Sequence, residues 1–367
     1  MPVTIGVIRE TAPGEARVAI VPEVARKLAS SKARVLIEAG AADQSRFVDR
    51  DFEGAATILD SAGAVLAAAG VLLRVRPPTL AEVAALKPGS VVVGYLQPHL
   101  QKDLIRVFCE RNITSFAMEL VPRISRAQSM DALSSQAAVA GYKAVLVGAA
   151  ALDKFLPMLT TAAGTIRPSQ ALIMGAGVAG LQAIATARRL GAIVEAFDVR
   201  AATKEQVESL GAKFVDTGVT ADGAGGYARE LNAEERQKQQ AVVNDRLAKA
   251  DLVITTAAVP GRPAPRLIDR ATVERMRPGA VIVDLGAESG GNCELTRAGE
   301  TVVHQGITII GPVNLAATVP RHASEMYARN LFNFLSPAIN KEGELAIDWN
   351  DALEAFGAVV GGTAVGA

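Results

Sequence analysis

Short apolar, β-branched runs alternate with longer stretches rich in Ala, Leu and Glu along most of the chain. A parallel strand that is buried on both faces forms a continuous apolar run and requires a crossover segment, so this alternation predicts an α/β fold built on parallel sheets. In the first third of the chain, strands are predicted at Ile5–Ile8, Arg34–Ile37, Val71–Val75, Ser90–Leu96 and Thr114–Leu120. A second set is predicted at Ala171–Met174, Ile193–Phe197, Asp251–Thr255, Ala280–Leu285 and Ile307–Ile310.

Two helical segments suggest how these strands are divided between domains. Met130–Leu152 is a long Ala-rich stretch between the two sets, and Ala323–Leu335 follows the second set. We expect the last helix to return to the first domain. The predicted fold therefore consists of two Rossmann-like doubly wound domains separated by an interdomain cleft. We assign residues 1–128 plus 313–356 to the first and 129–312 to the second, and 357–367 to a flexible tail.

Composition excludes several classes of protein. The 367 residues carry 38 basic and 38 acidic side chains, which gives no general attraction to nucleic acid or to an anionic bilayer. Three histidines and two distant cysteines, Cys109 and Cys293, predict neither a zinc site nor a disulfide framework. No apolar run reaches the roughly 20 residues that a membrane span requires. We expect a cytoplasmic protein without a metal site and without direct membrane insertion.

The motif with the clearest chemistry is the glycine pattern in ALIMGAGVAG, where Gly175, Gly177 and Gly180 form G-x-G-x-x-G between a predicted strand and a predicted helix. The first glycine permits a tight turn, the second admits a pyrophosphate, and the third lets the helix pack on the strand. The first helical N–H groups, at Val178 and Ala179, would face the phosphates at the positive end of the helix dipole.

An acidic residue at the end of the next strand supports this interpretation. Asp198 lies 18 residues after Gly180, close to the spacing of about 20 for a ribose-binding carboxylate. Such a carboxylate favours NAD(H) over NADP(H), and the neighbouring Val199 and Arg200 are candidate binding residues. Arg200 leaves an alternative open, since an arginine here can accommodate a 2′-phosphate or stack on adenine.

Other loops are candidates because the carboxyl ends of parallel strands meet at one edge of a sheet. Ala257 follows one predicted strand, and Glu288, before a Gly290–Gly291 pair, follows the next. Either loop could equally be an ordinary surface loop. The glycine-rich stretch 217–229, which contains Tyr227, is a candidate lid or a plain loop. Residues 122–136 concentrate polar groups, which favours either a binding loop or a capping and hinge segment.

Four segments resemble the family of alanine dehydrogenases and proton-translocating nicotinamide nucleotide transhydrogenases. They are IRETAPGEARVAIVPE (8–23), MELVPRISRAQSMDALSSQ (118–136), ATARRLGAIVEAFDVRAATKEQVESLGAKFV (185–215) and AGGYARE (224–230). The resemblance extends over nearly the whole chain. It implies that Arg123, Gln128 and Asp131 hold the nicotinamide and that Tyr227 closes over bound nucleotide.

The two branches of the family differ at positions that matter for chemistry. Where alanine dehydrogenases carry a histidine and an aspartate for imine chemistry, this chain has Gln97 and Glu288, and an expected lysine is replaced by Arg76. Glutamine is not a general acid or base at neutral pH. An alanine dehydrogenase-like oxidoreductase is therefore the weaker alternative, although Arg17 matches the family's substrate-carboxylate arginine.

The resemblance to the transhydrogenase branch implies direct hydride transfer between NAD(H) bound here and NADP(H) bound on a partner subunit. It also implies a separate membrane-spanning subunit that translocates protons, a homodimer, and a position peripheral to the inner membrane through these partners. A third possibility is an NAD-sensing module without hydride exchange.

Overall fold

A computed structural model describes residues 1–219, 232–258, 262–349, 358–360 and 363–364. It contains two compact units, residues 1–136 with 316–367 and residues 137–315. The strands are β1 (Thr4–Val7), β2 (Arg34–Glu38), β3 (Thr57–Leu59), β4 (Val71–Leu73), β5 (Val91–Gly94), β6 (Thr114–Ala117), β7 (Leu159–Thr161), β8 (Gly164–Ile166), β9 (Gln170–Met174), β10 (Ile193–Phe197), β11 (Lys213–Phe214), β12 (Leu252–Thr255), β13 (Val281–Asp284), β14 (Thr301–His304), β15 (Ile307–Ile310), β16 (Ala358–Val360) and β17 (Thr363–Ala364).

The α-helices are α1 (Pro22–Ser30), α2 (Ala62–Ala68), α3 (Leu80–Ala85), α4 (Lys102–Glu110), α5 (Ala132–Ala151), α6 (Val178–Arg189), α7 (Thr203–Ser209), α8 (Ala233–Leu247), α9 (Arg270–Val273) and α10 (Pro320–Leu335). Short 3-10 helices occupy Asp43–Ser45, Asp49–Phe52, Met118–Leu120, Ser125–Met130, Ala287–Ser289, Leu315–Thr318 and Ser336–Ala338.

The sheet of the first unit runs β3-β2-β1-β4-β5-β6 and is parallel throughout these six strands. This order is the one found in dinucleotide-binding Rossmann folds. The central strand β5 is buried along its whole length because helices cover both faces of such a sheet. Beyond β6 the sheet continues with β16, which pairs antiparallel and lies within the stretch predicted as a tail.

Helix α10 belongs to the first unit. Tyr327 and Leu331 are fully buried in the core that also contains Ile5 and Val93 from the sheet. Pro320 occupies the first turn, where its missing N–H costs no helical hydrogen bond. The C-terminal helix thus completes the core of a sheet that is formed mainly by the first third of the chain.

The sheet of the second unit runs β11-β10-β9-β12-β13-β15-β14. Its strands are parallel except for the edge strand β14, which pairs antiparallel with β15. The strand order reverses between β9 and β12, since β10 follows β9 on one side and β12 lies on the other. In open α/β sheets, ligands bind beyond the carboxyl ends of the strands at this switch point.

These observations confirm the prediction of two Rossmann-like parallel-sheet domains. Helix α5, at Ala132–Ala151, lies within the predicted Met130–Leu152. None of the helices in the described ranges is long and apolar enough to cross a membrane.

Candidate dinucleotide site

The glycine turn after β9 is fixed by steric constraints on two of its glycines. Gly175 has φ of +99°, and a Cβ atom there would lie 2.5 Å from the Thr256 Oγ1 atom. A Cβ atom at Gly180 would lie only 1.8 Å from the Gly175 carbonyl oxygen. Side chains at these two positions would therefore force the turn and helix α6 away from the sheet.

The middle glycine has the opposite surroundings. No described atom lies within 4 Å of a Cβ atom built on Gly177, so its backbone faces open space. Gly177 is also the N-cap of the 12-residue helix α6, whose first residues are Val178 and Ala179. With no capping side chain in the way, the first N–H groups of the helix can be approached by a phosphate group. These residues fit the diphosphate of a dinucleotide.

Asp198 lies just after β10 and is buried beside the glycine turn. Its Oδ2 atom accepts a hydrogen bond from the Ala176 N–H at 2.7 Å, which links the end of β10 to the turn. Arg200 donates to the same carboxylate from its backbone and its guanidinium. Burial by itself raises the pKa of Asp198, but the hydrogen bonds from Arg200 and Ala176 outweigh it and hold the pKa below its usual value. The carboxylate is therefore charged at neutral pH. Val199 is half-buried against the neighbouring apolar core.

The loop after β12 is tied to the glycine turn by Thr256. Its N–H donates to the Met174 carbonyl at 2.8 Å, and its hydroxyl donates to the Gly175 carbonyl at 3.1 Å. Ala257 follows directly and is half-buried. The predicted positions Gly175 and Ala257 are thus brought together at the switch point between β9 and β12.

Two buried residues that the sequence pattern did not indicate hold the loops in place. Asn292 donates from Nδ2 to the carbonyls of Ala257 at 2.9 Å and Pro265 at 2.8 Å. Asp284 accepts hydrogen bonds from the Thr255 hydroxyl at 2.8 Å and the Thr296 hydroxyl at 2.6 Å. The partners lie up to 35 residues away in sequence, so no local motif marks these two side chains as loop anchors.

Two further residues that were predicted to bind the cofactor add little to the geometry of the site. Glu288 is exposed in a 3-10 helix and accepts a hydrogen bond from the backbone N–H of Asn314. Tyr227 lies outside the described residues.

In the first unit, the predicted polar loop follows β6. Arg123 and Gln128 are exposed, whereas Asp131 is half-buried at the start of α5. Asp131 accepts hydrogen bonds from the Ser134 N–H at 2.8 Å and the Ser134 hydroxyl at 2.6 Å. This is N-capping geometry, so Asp131 fixes the junction between the loop and the helix.

Arg17, which matches a substrate-binding arginine in alanine dehydrogenases, is occupied within the first unit. Its Nε and Nη2 atoms each lie 2.7 Å from the Glu15 carboxylate, and its Nη1 atom donates to Gln136 at 2.8 Å. Arg76 lies 3.2 Å from the same carboxylate. The side chain of Glu15 thus fills the position beside two arginines that an external carboxylate would need.

Gln97 lies after β5 in a left-handed conformation with φ of +49°. Its backbone N–H, like that of Leu96, donates to the Glu119 carboxylate. Burial raises the pKa of Glu119. The position therefore contributes backbone hydrogen bonds and an amide side chain without acid–base function at neutral pH.

Comparison with known proteins shows to which family the chain belongs. The N-terminal domain of the alanine dehydrogenase/PNT family matches residues 6–140, and its C-terminal domain matches residues 144–365. A protein from Rhodospirillum rubrum, described as the first part of NAD(P) transhydrogenase subunit alpha, is 48% identical over 348 residues, which cover 92% of this chain and 91% of that protein. An alanine dehydrogenase from Mycolicibacterium smegmatis is 32% identical over 80% of this chain and 75% of its own length.

Among solved structures, a transhydrogenase from Sinorhizobium meliloti superimposes with a TM-score of 0.90 at 45% identity, and the match covers 99% of both chains. Both family domains are matched in order, with the glycine turn and Asp198 inside the C-terminal one. The chain is a member of the alanine dehydrogenase/PNT family.

Proposed function

We propose that this chain is the NAD(H)-binding subunit of a proton-translocating transhydrogenase. The observation that carries the proposal is the glycine turn with Asp198 at the switch point of the second sheet, in a chain that is 48% identical to a protein named for the alpha subunit of NAD(P) transhydrogenase. That relative's name implies an oxidoreductase. The likeness to alanine dehydrogenases is lower, at 32% identity.

The second unit supplies the groups that hold the adenosine half. The open backbone of Gly177 and the N-terminus of α6 receive the diphosphate, because N–H groups and the positive end of the helix dipole both favour an anion. Asp198 accepts hydrogen bonds from ribose hydroxyls, with Val199 and Arg200 beside it. Thr256 holds the Ala257 loop against the turn. Glu288 is exposed on the loop after β13 and would lie at the edge of the proposed nucleotide site.

The polar loop of the first unit supplies the groups for the nicotinamide half. Arg123 and Gln128 are exposed and can donate or accept hydrogen bonds at the carboxamide. Asp131 acts through its cap on α5, which keeps the end of this loop in one conformation.

NAD(H), when bound here, would supply or accept the hydride: a C4–H bond would break on one nicotinamide and form on the other, which NADP(H) would carry on a partner subunit. The protein's task is then to orient one ring and exclude water. This agrees with a site of positioning groups, in which Gln97 stands where an alanine dehydrogenase carries a histidine. Proton translocation is assigned to a separate membrane-spanning subunit.

The proposed assembly is a homodimer, peripheral to the inner membrane on its cytoplasmic side through its partners. The hairpin β7–β8 supports self-association, since all six of its strand residues are exposed and two of them, Leu159 and Ile166, are apolar. Phe155 and Met158, just before the hairpin, are exposed as well. Such an apolar patch favours contact with another protein surface.

The test mixes the purified chain with an NADP(H)-binding transhydrogenase partner and follows reduction of an oxidised NAD analogue by NADPH. Hydride exchange that requires both proteins is expected. If both components bind nucleotide and no exchange appears, the proposal is wrong. NAD-dependent oxidation of L-alanine by the chain alone would instead establish the alanine dehydrogenase alternative.

A further inference from the structure

The ribose-binding carboxylate proposed above is already paired within the chain. Arg200 Nε lies 2.9 Å from Asp198 Oδ1, and Arg200 Nη2 lies 2.7 Å from Asp198 Oδ2. This is the bidentate geometry in which arginine and a carboxylate bind most strongly. The Asp198 side chain is 6% exposed and the Arg200 side chain 25% exposed, so the pair lies at the edge of the solvent.

A carboxylate offers about four lone-pair positions, two on each oxygen. Oδ1 accepts from the backbone N–H and the Nε atom of Arg200. Oδ2 accepts from the Ala176 N–H and from Arg200 Nη2. Described donors therefore fill all four positions of Asp198. A ribose hydroxyl can donate to this carboxylate only after one of these donors has left.

The four donors differ in their freedom to leave. The Ala176 and Arg200 N–H groups belong to the main chain at the glycine turn and at the end of β10, where their positions are fixed by the fold. The guanidinium lies at the end of a long side chain that is 25% exposed. Its departure vacates one position on each oxygen, and a ribose offers two neighbouring hydroxyls, the 2′-OH and the 3′-OH.

We propose that the Arg200 side chain occupies the ribose-hydroxyl positions of Asp198 in the free protein and must exchange with the ribose when NAD(H) binds, which makes Arg200 a specificity-determining residue. The inference rests on the proposed NAD(H) site and assigns it a competing internal ligand. Because only the fraction of molecules with the guanidinium displaced can bind, the pairing weakens the apparent affinity for NAD(H).

The same exchange affects discrimination against NADP(H). A 2′-phosphate has no hydroxyl to donate at one vacated position, and its charge is repelled by Asp198. A displaced Arg200 can pair with that phosphate and offset part of the repulsion. The cost of displacing Arg200 applies to both nucleotides, but only with NADP(H) does the displaced guanidinium regain a partner, a phosphate with up to two negative charges that binds it more strongly than Asp198 does. Removal of Arg200 should therefore strengthen NAD(H) binding and weaken NADP(H) binding.

The experiment measures dissociation constants for NADH and NADPH by isothermal titration calorimetry with the full chain. In Arg200→Met the apolar stem is kept and the guanidinium is lost. We expect NADH to bind about fivefold more tightly, because loss of a partly exposed ion pair removes the cost of displacing Arg200 from Asp198. NADPH should bind more weakly by a similar factor, because its 2′-phosphate loses the guanidinium as a partner. Arg200→Lys, which keeps the charge but not the bidentate geometry, should fall between the wild type and Arg200→Met.

Arg189→Met is the matched control, since it removes an exposed arginine at the end of α6 and should leave both constants unchanged. Unfolding temperatures of all variants establish that each is folded. Unchanged or weaker NADH binding by folded Arg200→Met, or a parallel change for both nucleotides, would overturn the exchange. Failure of the wild-type chain to bind NADH would contradict the proposed function itself, and the exchange with it.

Discussion

The two sheets share the strand order 3-2-1-4-5 but differ in what lies at their switch points. In the second unit, the turn after β9 exposes the backbone of Gly177 to open space. In the first unit, the corresponding place between β1 and β4 holds a buried ion pair, with Arg74 Nη2 lying 3.2 Å from the Glu10 carboxylate. One fold thus leaves room for a ligand in one unit and is filled by its own side chains in the other.

The difference shows that strand order alone does not make a nucleotide site. Arg74 is 1% exposed and also pairs with Glu82 at 3.3 Å, while Glu10 accepts hydrogen bonds from the backbone of Val75 and Arg76. A phosphate at this place would have to displace buried charges. The glycines of the second unit keep the equivalent place clear.

The strongest test of the comparison is Gly180→Ala. The added Cβ atom would lie 1.8 Å from the Gly175 carbonyl oxygen, so the turn and α6 must shift. We expect a loss of about 3 kcal/mol or more in the free energy of unfolding and loss of NADH binding, as measured by urea denaturation and calorimetry. Gly177→Ala is the matched control. It should leave stability within about 1 kcal/mol while weakening NADH binding. Equal stability of the two variants would contradict the steric account.

The second test breaks another buried ion pair of the first unit, between Arg17 and Glu15. Arg17→Met removes the main partner of the buried Glu15 carboxylate. Since an uncompensated buried charge costs about 3–5 kcal/mol, and Arg76 still pairs with Glu15, we expect a loss of about 3 kcal/mol. Chemical denaturation measures it. NADH binding should persist in the folded variant, and its loss would show that the Arg17–Glu15 pair affects the proposed nucleotide site.

The third test concerns pH. Burial raises the pKa of Glu10 to about 7 from its ordinary value of 4.5, although the Arg74 charge opposes the rise. The folded protein therefore holds this proton more tightly than the unfolded chain. The resulting contribution to stability is complete below about pH 4.5 and is lost as the pH rises through about 7. Unfolding free energies measured between pH 5 and 8 should fall less steeply in Glu10→Gln than in the wild type. Identical slopes would rule out Glu10 as the titrating group.

The fourth test has the smallest expected effect on stability. It distinguishes two roles of Asp131, as an N-cap and as a charge that positions the nicotinamide. Asparagine is as good an N-cap as aspartate, so Asp131→Asn should change the free energy of unfolding by less than about 0.5 kcal/mol, while Asp131→Ala should cost about 1 kcal/mol. If the charge also positions the nicotinamide, Asp131→Asn should slow hydride transfer far more than it weakens NADH binding. Gln128→Asn should do the same. Because asparagine keeps the cap, hydride transfer in Asp131→Asn as fast as in the wild type would leave Asp131 with the cap alone.

Much of the core could be predicted from the sequence. The strand Ile193–Phe197 and the start of α6 at Val178 coincide with their predictions, because continuous apolar runs and a glycine turn are local features. The short edge strand β3 and the hairpin β7–β8 were not predicted, since their residues are exposed or half-buried and lack the continuous apolar run of a buried strand.

The α/β class, the glycine turn and the acid that follows it can be deduced from the sequence alone, because steric limits at glycine and the spacing of apolar residues act over a few positions. Which polar side chains already have partners depends on the tertiary fold. Glu15 fills the space beside Arg17 and Arg76, Gln136 reaches Arg17 across 119 residues, and Asn292 anchors the loop at Ala257. Buried polar groups must find partners wherever the fold brings them. Their pairing therefore depends on the packed sheets as a whole.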